Sequence, residues 1–320
     1  VGSLKASYHH AYKKIKKEEI KQKLPLHKKN WRKIQFLQQQ NRFIMLVINK
    51  VQELKEIQRR LHEEGKTIGL VPTMGALHSG HYSLLERAHQ ENDIVVCSIF
   101  VNPVQFNNAE DLEKYPRTLE QDLAYIEKVA DIVFAPTVDE VFPTPPTEKY
   151  DFGTLETVME GAFRPGHFNG VGVIVKRLFD WTEPHRAYFG EKDFQQLAII
   201  QELVRQYALN IKIIPCPIVR EASGLALSSR NARLSETDRT TAAKIHQILE
   251  SSRNCTTLQE TQHFVDEEIA KVPEFTLDYF AIANARTLQP IENFSDAETV
   301  IGCIAVFIGG VRLIDNVKYK

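Results

Sequence analysis

The sequence predicts an α/β protein: a parallel β-sheet with crossover helices, followed by a smaller α/β C-terminal domain. Three observations carry this expectation. Short apolar runs alternate with helix-patterned segments from residue 51 to residue 216, the order that parallel strands joined by crossover helices produce. Several of these runs end in turn residues that lead straight into a helical pattern, at the strand ends where such sheets bind ligands. Beyond Arg233 the text changes to polar helical segments followed by strand-like runs.

Each element has its own signal. Val51, Leu54, Ile57 and Leu61 follow helical spacing up to Glu64, and Gly65 is a natural C-cap. "TIGLV" (67–71) reads as a buried strand, a short helix follows Gly80, and "DIVVCSIFVNP" (93–103) is a second strand. A helix through Leu119–Val129 leads to a third strand, "DIVFAP" (131–136). "VGVIVKRLFDWT" (171–182) is a further helix, "RAYFG" (186–190) a strand, "EKDFQQLAIIQELVRQY" (191–207) a helix and "NIKIIPCPIV" (210–219) one more strand. The C-terminal part reads as helix in "ETDRTTAAKIHQILESS" and as strand in "LDYFAIAN", "VIGCIAVFI" and "VRLIDNV", with the boundary near Pro217. The resulting division is an N-terminal extension over 1–44, a sheet domain over 45–216 and a small lid domain over 217–320.

Composition narrows the function classes. With 320 residues, 43% hydrophobic and 25% charged, the chain can bury a substantial core. No apolar run is long enough to cross a bilayer, and the N-terminus lacks the apolar core and cleavage site of a secretory signal, so the cytoplasm is the expected compartment. Cys97, Cys216, Cys255 and Cys303 lie far apart without a C-x-x-C pair and read as reduced thiols. The net charge of −1 hides a division: residues 1–44 hold twelve Lys/Arg against two Glu, and the remainder is acidic. Such an arm, with Tyr12, Trp31 and Phe36 interleaved, has the composition of a nucleic-acid or anionic-membrane binder. Met45 stands just before the first well-patterned segment, so the arm is instead expected to be an upstream-start artefact or a disordered extension, with no nucleic-acid or membrane partner.

Four segments sit at strand ends: His78–His81, Asn102–Gln105, Gly190–Gln196 and Leu227–Arg230. His78 and His81 fall at the mouth of a helix, where unpaired N–H groups and the positive dipole end favour phosphate. The chain has neither G-x-x-x-x-G-K-[ST] nor G-x-G-x-x-G, so nucleotide binding has to be organised in some other way. An isolated His-x-x-His carries little by itself, and no third ligand nearby makes it a metal site. A lone Lys192 in a turn and a Ser-Ser-Arg helix entry have plain structural readings too.

In order along the chain, "VPTMGALHSGH", "SIFVNPVQFNNAEDLEKYPRT", "EGAFRPGHFNGV", "YFGEKDFQQL", "GLALSSRN" and "RLIDN" resemble the pantoate–β-alanine ligase family of the nucleotidyltransferase superfamily, whose signature includes H-x-G-H. The resemblance covers nearly all of residues 45–320 and leaves the arm without a counterpart. It implies a Rossmann-type parallel sheet with helices on both faces and a smaller lid-like domain. It also implies a homodimer that joins pantoate to β-alanine, with ATP and Mg²⁺, through a pantoyl adenylate. The nearest rival is a nucleotidyltransferase of the same scaffold acting on another small substrate.

By the same resemblance Met74, Gly75, Ala76, Leu77, His78, Ser79, Gly80 and His81 form the ATP-binding turn, with His81 as proton donor. Gly190, Glu191, Lys192 and Asp193 hold ribose and phosphate, and Val219, Leu227, Ser228, Ser229 and Arg230 clamp the nucleotide from the lid side. His78, His81, Lys192, Ser228, Ser229 and Arg230 form the catalytic set. These donors and cations suit a reaction that accumulates negative charge on a phosphoryl group and a departing pyrophosphate. Gln105 and Gln196 can donate and accept for a small hydroxy acid and are the expected pantoate ligands, Gln105 also meeting β-alanine. Phe100, Val101, Pro103 and Phe106 offer apolar surface for a gem-dimethyl group. Glu160, Arg164 and His167 read as a polar cover that excludes water. Asp111 and Asp122 lie where the family holds Mg²⁺, but a metal bound mainly by ATP oxygens needs few protein ligands, and the metal residues stay open.

Overall fold

The computed structural model describes residues 45–320; the expectations for the basic arm lie outside the described residues. β1 (Leu46–Ile48) and α1 (Val51–Glu63) precede β2 (Ile68–Thr73), α2 (Ser79–Glu91) and β3 (Ile94–Ile99). α3 (Ala109–Lys114) and α4 (Leu119–Ile126) lead to β4 (Ile132–Phe134). α5 (Val138–Val141), α6 (Met159–Phe163) and α7 (His167–Thr182) lead to β5 (Arg186–Gly190), and α8 (Phe194–Gln206) to β6 (Lys212–Cys216).

These six strands form one parallel sheet in the order β1-β4-β3-β2-β5-β6. Side chains alternate across it. Val71, Val95, Cys97, Val133 and Tyr188 pack on one face with Leu84, Leu85 and Ala88 of α2 and Ile126 of α4. The intervening Leu70, Val96, Ile132 and Ala187 are equally buried, and α7, packed on α1 and α8, lies against β2. Helices thus cover both faces, which explains why the strands are unbroken apolar runs rather than alternating ones. The chain runs from β2 to β3 and β4 on one side, then returns to lay β5 and β6 on the other. The switch point is therefore between β2 and β5, and the carboxyl ends of those strands open onto a crevice there.

The remainder supplies α9 (Glu236–Ala242), α10 (Lys244–Ser252) and α11 (Leu258–Ala270). They pack on an antiparallel sheet of β7 (Thr276–Asn284), β8 (Val300–Ile308) and β9 (Val311–Lys318) through Ile245, Leu249, Val265, Ile304 and Val306. The other face of this sheet, with Ala283, Ile301 and Cys303, packs on Met159 of α6 and on Phe194 and Ala198 of α8. β8 is consequently apolar and buried on both faces. All four cysteines are free thiols, and Cys97, Cys216 and Cys303 are buried. Among the described residues no helix is long and apolar enough to cross a membrane.

Several elements differ from the sequence expectations, among them β1, α4 and α7. β1 was not anticipated, because a three-residue edge strand carries too little pattern to stand out. Helix α4 ends at Ile126, three residues before the expected Val129. Helix α7 starts at His167 rather than Val171, since the glycine-rich "HFNG" resembles a loop until its packing is seen. A Cβ on Gly170 would lie 2.5 Å from the Val104 carbonyl oxygen and 2.8 Å from Gln105 Cα. The missing side chain lets the helix touch the backbone of the β3–α3 connection.

Gly170→Ala therefore has to push two backbones apart. It should cost about 1–3 kcal/mol of unfolding free energy, the usual scale for overpacking a filled contact, read as a lowered midpoint in urea unfolding. An unchanged midpoint would show that the contact yields freely.

Candidate active site

The β2–α2 turn is shaped by a carboxylate beneath it. Asp122 of α4, only 3% exposed, accepts hydrogen bonds from the backbone N–H groups of Ala76 (3.0 Å) and Leu77 (2.7 Å) and from the Thr118 hydroxyl (3.2 Å). Gly75 at φ +83° and Ala76 at φ +51° take the left-handed conformations this grip demands. Thr73 Oγ1 accepts from the Gly75 N–H and donates to the Ser98 carbonyl, tying the turn to β3.

The turn delivers two imidazoles to the start of α2. His78 is the N-cap: its Nδ1 accepts from the Gly80 N–H at 3.2 Å, while His81 Nδ1 accepts from the His78 N–H at 3.4 Å. With both Nδ1 atoms accepting, each neutral ring carries its proton on Nε2. Burial, reinforced by Lys192, pushes the His78 pKa down to about 4. Burial and then the neighbouring His78 hold His81 well below the ordinary range. The rings lie 4.0 Å apart. At neutral pH this is a pair of uncharged N–H donors.

From the end of β3, Asn102 is 1% exposed and donates through Nδ2 to both Gln105 Oε1 and the Gly170 carbonyl at 3.0 Å. Gln105 Nε2 lies 3.2 Å from Met74 Sδ. The Gln105 side chain is thus held at both ends, and Asn102 is the residue that holds it. After β5, Asn316 of β9 donates to the carbonyls of Glu191 (2.9 Å) and Lys192 (3.0 Å). The preceding Asp315 pairs with Arg220 through both oxygens, at 2.6 and 2.9 Å. The closing "RLIDN" therefore acts by fixing the turn that carries Lys192.

The fourth segment reaches across from the other side. Ser228 caps a 3₁₀ turn by accepting from the Arg230 N–H, and the Ser229 hydroxyl is 3.0 Å from the Tyr115 hydroxyl. Arg230 and Arg233 each hold one oxygen of Asp111 at 2.8 Å. Asp111 and Tyr115 thus latch the Ser228–Arg230 segment to the α3 rim.

These parts line one cleft of about 210 Å³, open at its mouth, at the β2/β5 switch point. Met74, His78, Gly80 and His81 line it from the first turn, and Gly190, Lys192, Asp193 and Gln196 from the β5 end. Gln105 lines it beside Asn102, and Val219, Leu227, Ser228, Ser229 and Arg230 face them. Gly75, Ala76, Leu77, Ser79 and Glu191 stand beside the cleft rather than among its lining residues. The Ala76 and Leu77 amides are already committed to Asp122, and the Glu191 carboxylate meets Lys318 at 2.8 Å. Asn102 belongs to a strand-end segment without a role of its own in the sequence, and Tyr115 and Asn316 carry no signal there as site residues; only the fold shows what the three hold. Of the apolar wall foreseen, Phe100 lines the cleft together with Val171, Ile174 and Val175 of α7, whereas Val101, Pro103 and Phe106 do not.

The Glu160–Arg164–His167 block is largely buried. Glu160 and His167 are 7% and 6% exposed, and with Arg164 they line a second, small pocket of about 30 Å³ that shares Lys192, Asp193 and Gln196 with the cleft. No group of three or more His, Cys, Asp or Glu among the described residues is arranged to hold a metal ion. Asp122 and Asp111, the two carboxylates considered for one, are spent on the turn amides and on arginines.

A family model for Pantoate-beta-alanine ligase matches residues 46–318. Pantothenate synthetase of Phocaeicola vulgatus is 57% identical over 280 residues, spanning 84% of this chain and 99% of that one. The crystal structure of pantothenate synthetase from Thermus thermophilus matches with a TM-score of 0.81 at 41% identity, over 86% of this chain and 99% of that one. That of the Francisella tularensis pantoate-beta-alanine ligase, complexed with beta-gamma ATP and beta-alanine, matches with a TM-score of 0.73 at 36% identity, over 86% and 98%. The chain that carries this switch-point cleft belongs to the pantoate–β-alanine ligase family.

Proposed function

We propose that this chain condenses pantoate with β-alanine at the expense of ATP, giving pantothenate, AMP and pyrophosphate through a pantoyl adenylate. In the first step a pantoate carboxylate oxygen attacks the α-phosphorus of ATP and the bond to the β-phosphate bridging oxygen breaks, releasing pyrophosphate. In the second, the neutral amine of β-alanine attacks the acyl carbon, the carbon–oxygen bond to AMP breaks, and the nitrogen gives up a proton as the amide forms. The observation that carries this reading is a single cleft lined by phosphate-type donors together with two glutamines and an apolar wall.

Negative charge grows on the α-phosphoryl oxygens and on pyrophosphate in the first transition state, so fixed donors aimed there lower the barrier. His78 and His81 supply Nε2–H groups without a charge that would repel Lys192. His81 serves as the hydrogen-bond donor to the reacting phosphate, and Lys192, with 18% of its side chain exposed, supplies the cation. Ser228, Ser229 and Arg230 hold the triphosphate from the opposite wall. Gln105 and Gln196 bind the hydroxyls and carboxylate of pantoate. Mg²⁺ arrives as part of the substrate, on the ATP phosphates and water, because the nearby carboxylates are already engaged.

Residues 45–216 form the nucleotide- and pantoate-binding domain and residues 217–320 the lid, which contributes Ser228–Arg230 and, through Asn316, the orientation of Lys192. The family resemblance implies a homodimer in the cytoplasm, checked by sedimentation. Exchange of labelled pyrophosphate into ATP is the decisive assay: dependence on pantoate supports the ligase, and exchange driven by another small substrate in its place supports a nucleotidyltransferase.

His81→Ala removes one donor from the reacting phosphate and should slow pantoate-dependent exchange by ~10²–10³; an unaltered rate would remove His81 from the chemistry. Lys192→Ala should separate the two half-reactions. Adenylation is crippled, because the ammonium stabilises the transition state more than the ground state. Amide formation from supplied pantoyl adenylate and β-alanine falls much less, since a neutral amine attacks an already activated carbonyl. Equal losses in both would make Lys192 a structural or AMP-binding residue.

A further inference from the structure

The pocket behind Lys192 holds a cation whose charge is poorly matched. Each carboxylate lining it has a partner other than Arg164. Glu160 receives both guanidinium nitrogens of Arg312, at 2.7 and 2.8 Å, and the Tyr279 hydroxyl at 3.0 Å. Asp315 is taken by Arg220 at 2.6 and 2.9 Å, and Asp193 has Lys192 at 3.5 Å. Arg164 is left with two long contacts, 3.4 Å to Glu160 Oε2 and 3.5 Å to the Gln105 carbonyl oxygen. An arginine paired with a carboxylate normally sits at about 2.7–2.9 Å through two parallel bonds, so the Arg164 fork is close to empty-handed.

The surroundings make that condition costly. Only a quarter of the Arg164 side chain is exposed. Burial, together with the nearby charges of Arg230 and Arg312, works against its protonated form, and only Glu160 favours it. His167 offers no compensating anion: its Nδ1–H donates to the Gln105 carbonyl at 2.8 Å, and burial pushes its pKa down to about 4, so it stays neutral. A guanidinium held out of water with weak partners gains most from an incoming carboxylate, because the desolvation cost is already met.

Position decides which carboxylate. Arg164 touches the backbone of Gln105, a proposed pantoate ligand, and its pocket shares Lys192, Asp193 and Gln196 with the cleft. We infer that Arg164 binds the carboxylate of the amine substrate, so that its amine, two methylenes away, is presented to the acyl carbon in the adjoining cleft. The inference rests on the ligase reading and adds a specificity residue to it. A rigid fork at one end and the acyl carbon at the other measure chain length: glycine falls one methylene short, and 4-aminobutanoate is one too long.

The test compares β-alanine with its primary amide, which keeps the amine and the two methylenes but lacks the charge. In the wild-type chain β-alanine should be preferred by ~10² in kcat/KM, the scale of a desolvated charge pair lost on one side. Arg164→Gln should raise the KM for β-alanine by ~10² and bring the two amines within a few-fold of each other. Pantoate-dependent pyrophosphate exchange should fall far less. Arg164→Lys, which retains charge without the fork, should raise the β-alanine KM less and keep the preference over the amide; it carries the test if the Gln variant loses exchange through misfolding. Exchange retained with the β-alanine KM and amide preference unmoved in either variant would overturn the assignment. A rise in the pantoate KM instead would overturn it in favour of a pantoate contact. Absence of pantoate-dependent exchange in the wild-type chain would overturn the ligase reading itself.

Discussion

The capture of two turn amides by one buried carboxylate is the constraint on which this site depends. Asp122 holds the N–H groups of Ala76 and Leu77, donors that a phosphate-binding turn of the P-loop kind would keep for its ligand. Spending them internally fixes a left-handed turn at modest cost, because Gly75 accepts it freely and Ala76 is over-determined by its bond. In the proposed function, recognition of the nucleotide then passes from backbone amides to side chains. Two imidazole N–H groups, an ammonium and a Ser-Ser-Arg segment would take the place of a glycine-rich cradle, in keeping with the absence of the usual nucleotide fingerprints from the sequence.

The same economy governs the rest of the cleft, where functional side chains are oriented by neutral groups from distant parts of the chain. Asn102 orders Gln105, and Asn316 orders the backbone of the Lys192 turn. An uncharged amide serves well at such points because it satisfies two partners without altering the local field. Where charge is buried, it is paired in a chain running from Asp278 through Arg312 to Glu160, and Arg164 stands at its incomplete end. A buried network of this kind is poor as a source of stability, and its weakly paired end is where a ligand can act.

Much of the architecture was legible because its signals are local and repeated. Strands covered on both faces read as unbroken apolar runs, and the α1 stripe of Leu54, Ile57 and Leu61 follows the helical period. Signals that depend on a partner far away in sequence were not legible. Gly170 looked like a loop residue until the Val104 carbonyl lay against it, and β1 is recognisable as a strand only beside β4. The site divides in the same way. The His-x-x-His at a helix mouth and the strand-end polar segments could be picked out by residue type and place. That Ala76, Leu77 and Glu191 face other work, and that Asn316 reaches back to Lys192, depends on contacts spanning up to 127 positions.

By itself the sequence determined the class of fold, the strand ends that carry chemistry and, through its ordered blocks, the family, because residue type and spacing encode local backbone form and chemical capacity. Which of those residues face the cleft, which hold one another, and which cation is left without a close partner were decided only by the tertiary structure. Hydrogen-bond partnership and desolvation depend on three-dimensional proximity, and proximity between Glu160 and Arg312 or between Asp122 and Leu77 exists only once the sheet has brought its strand ends together.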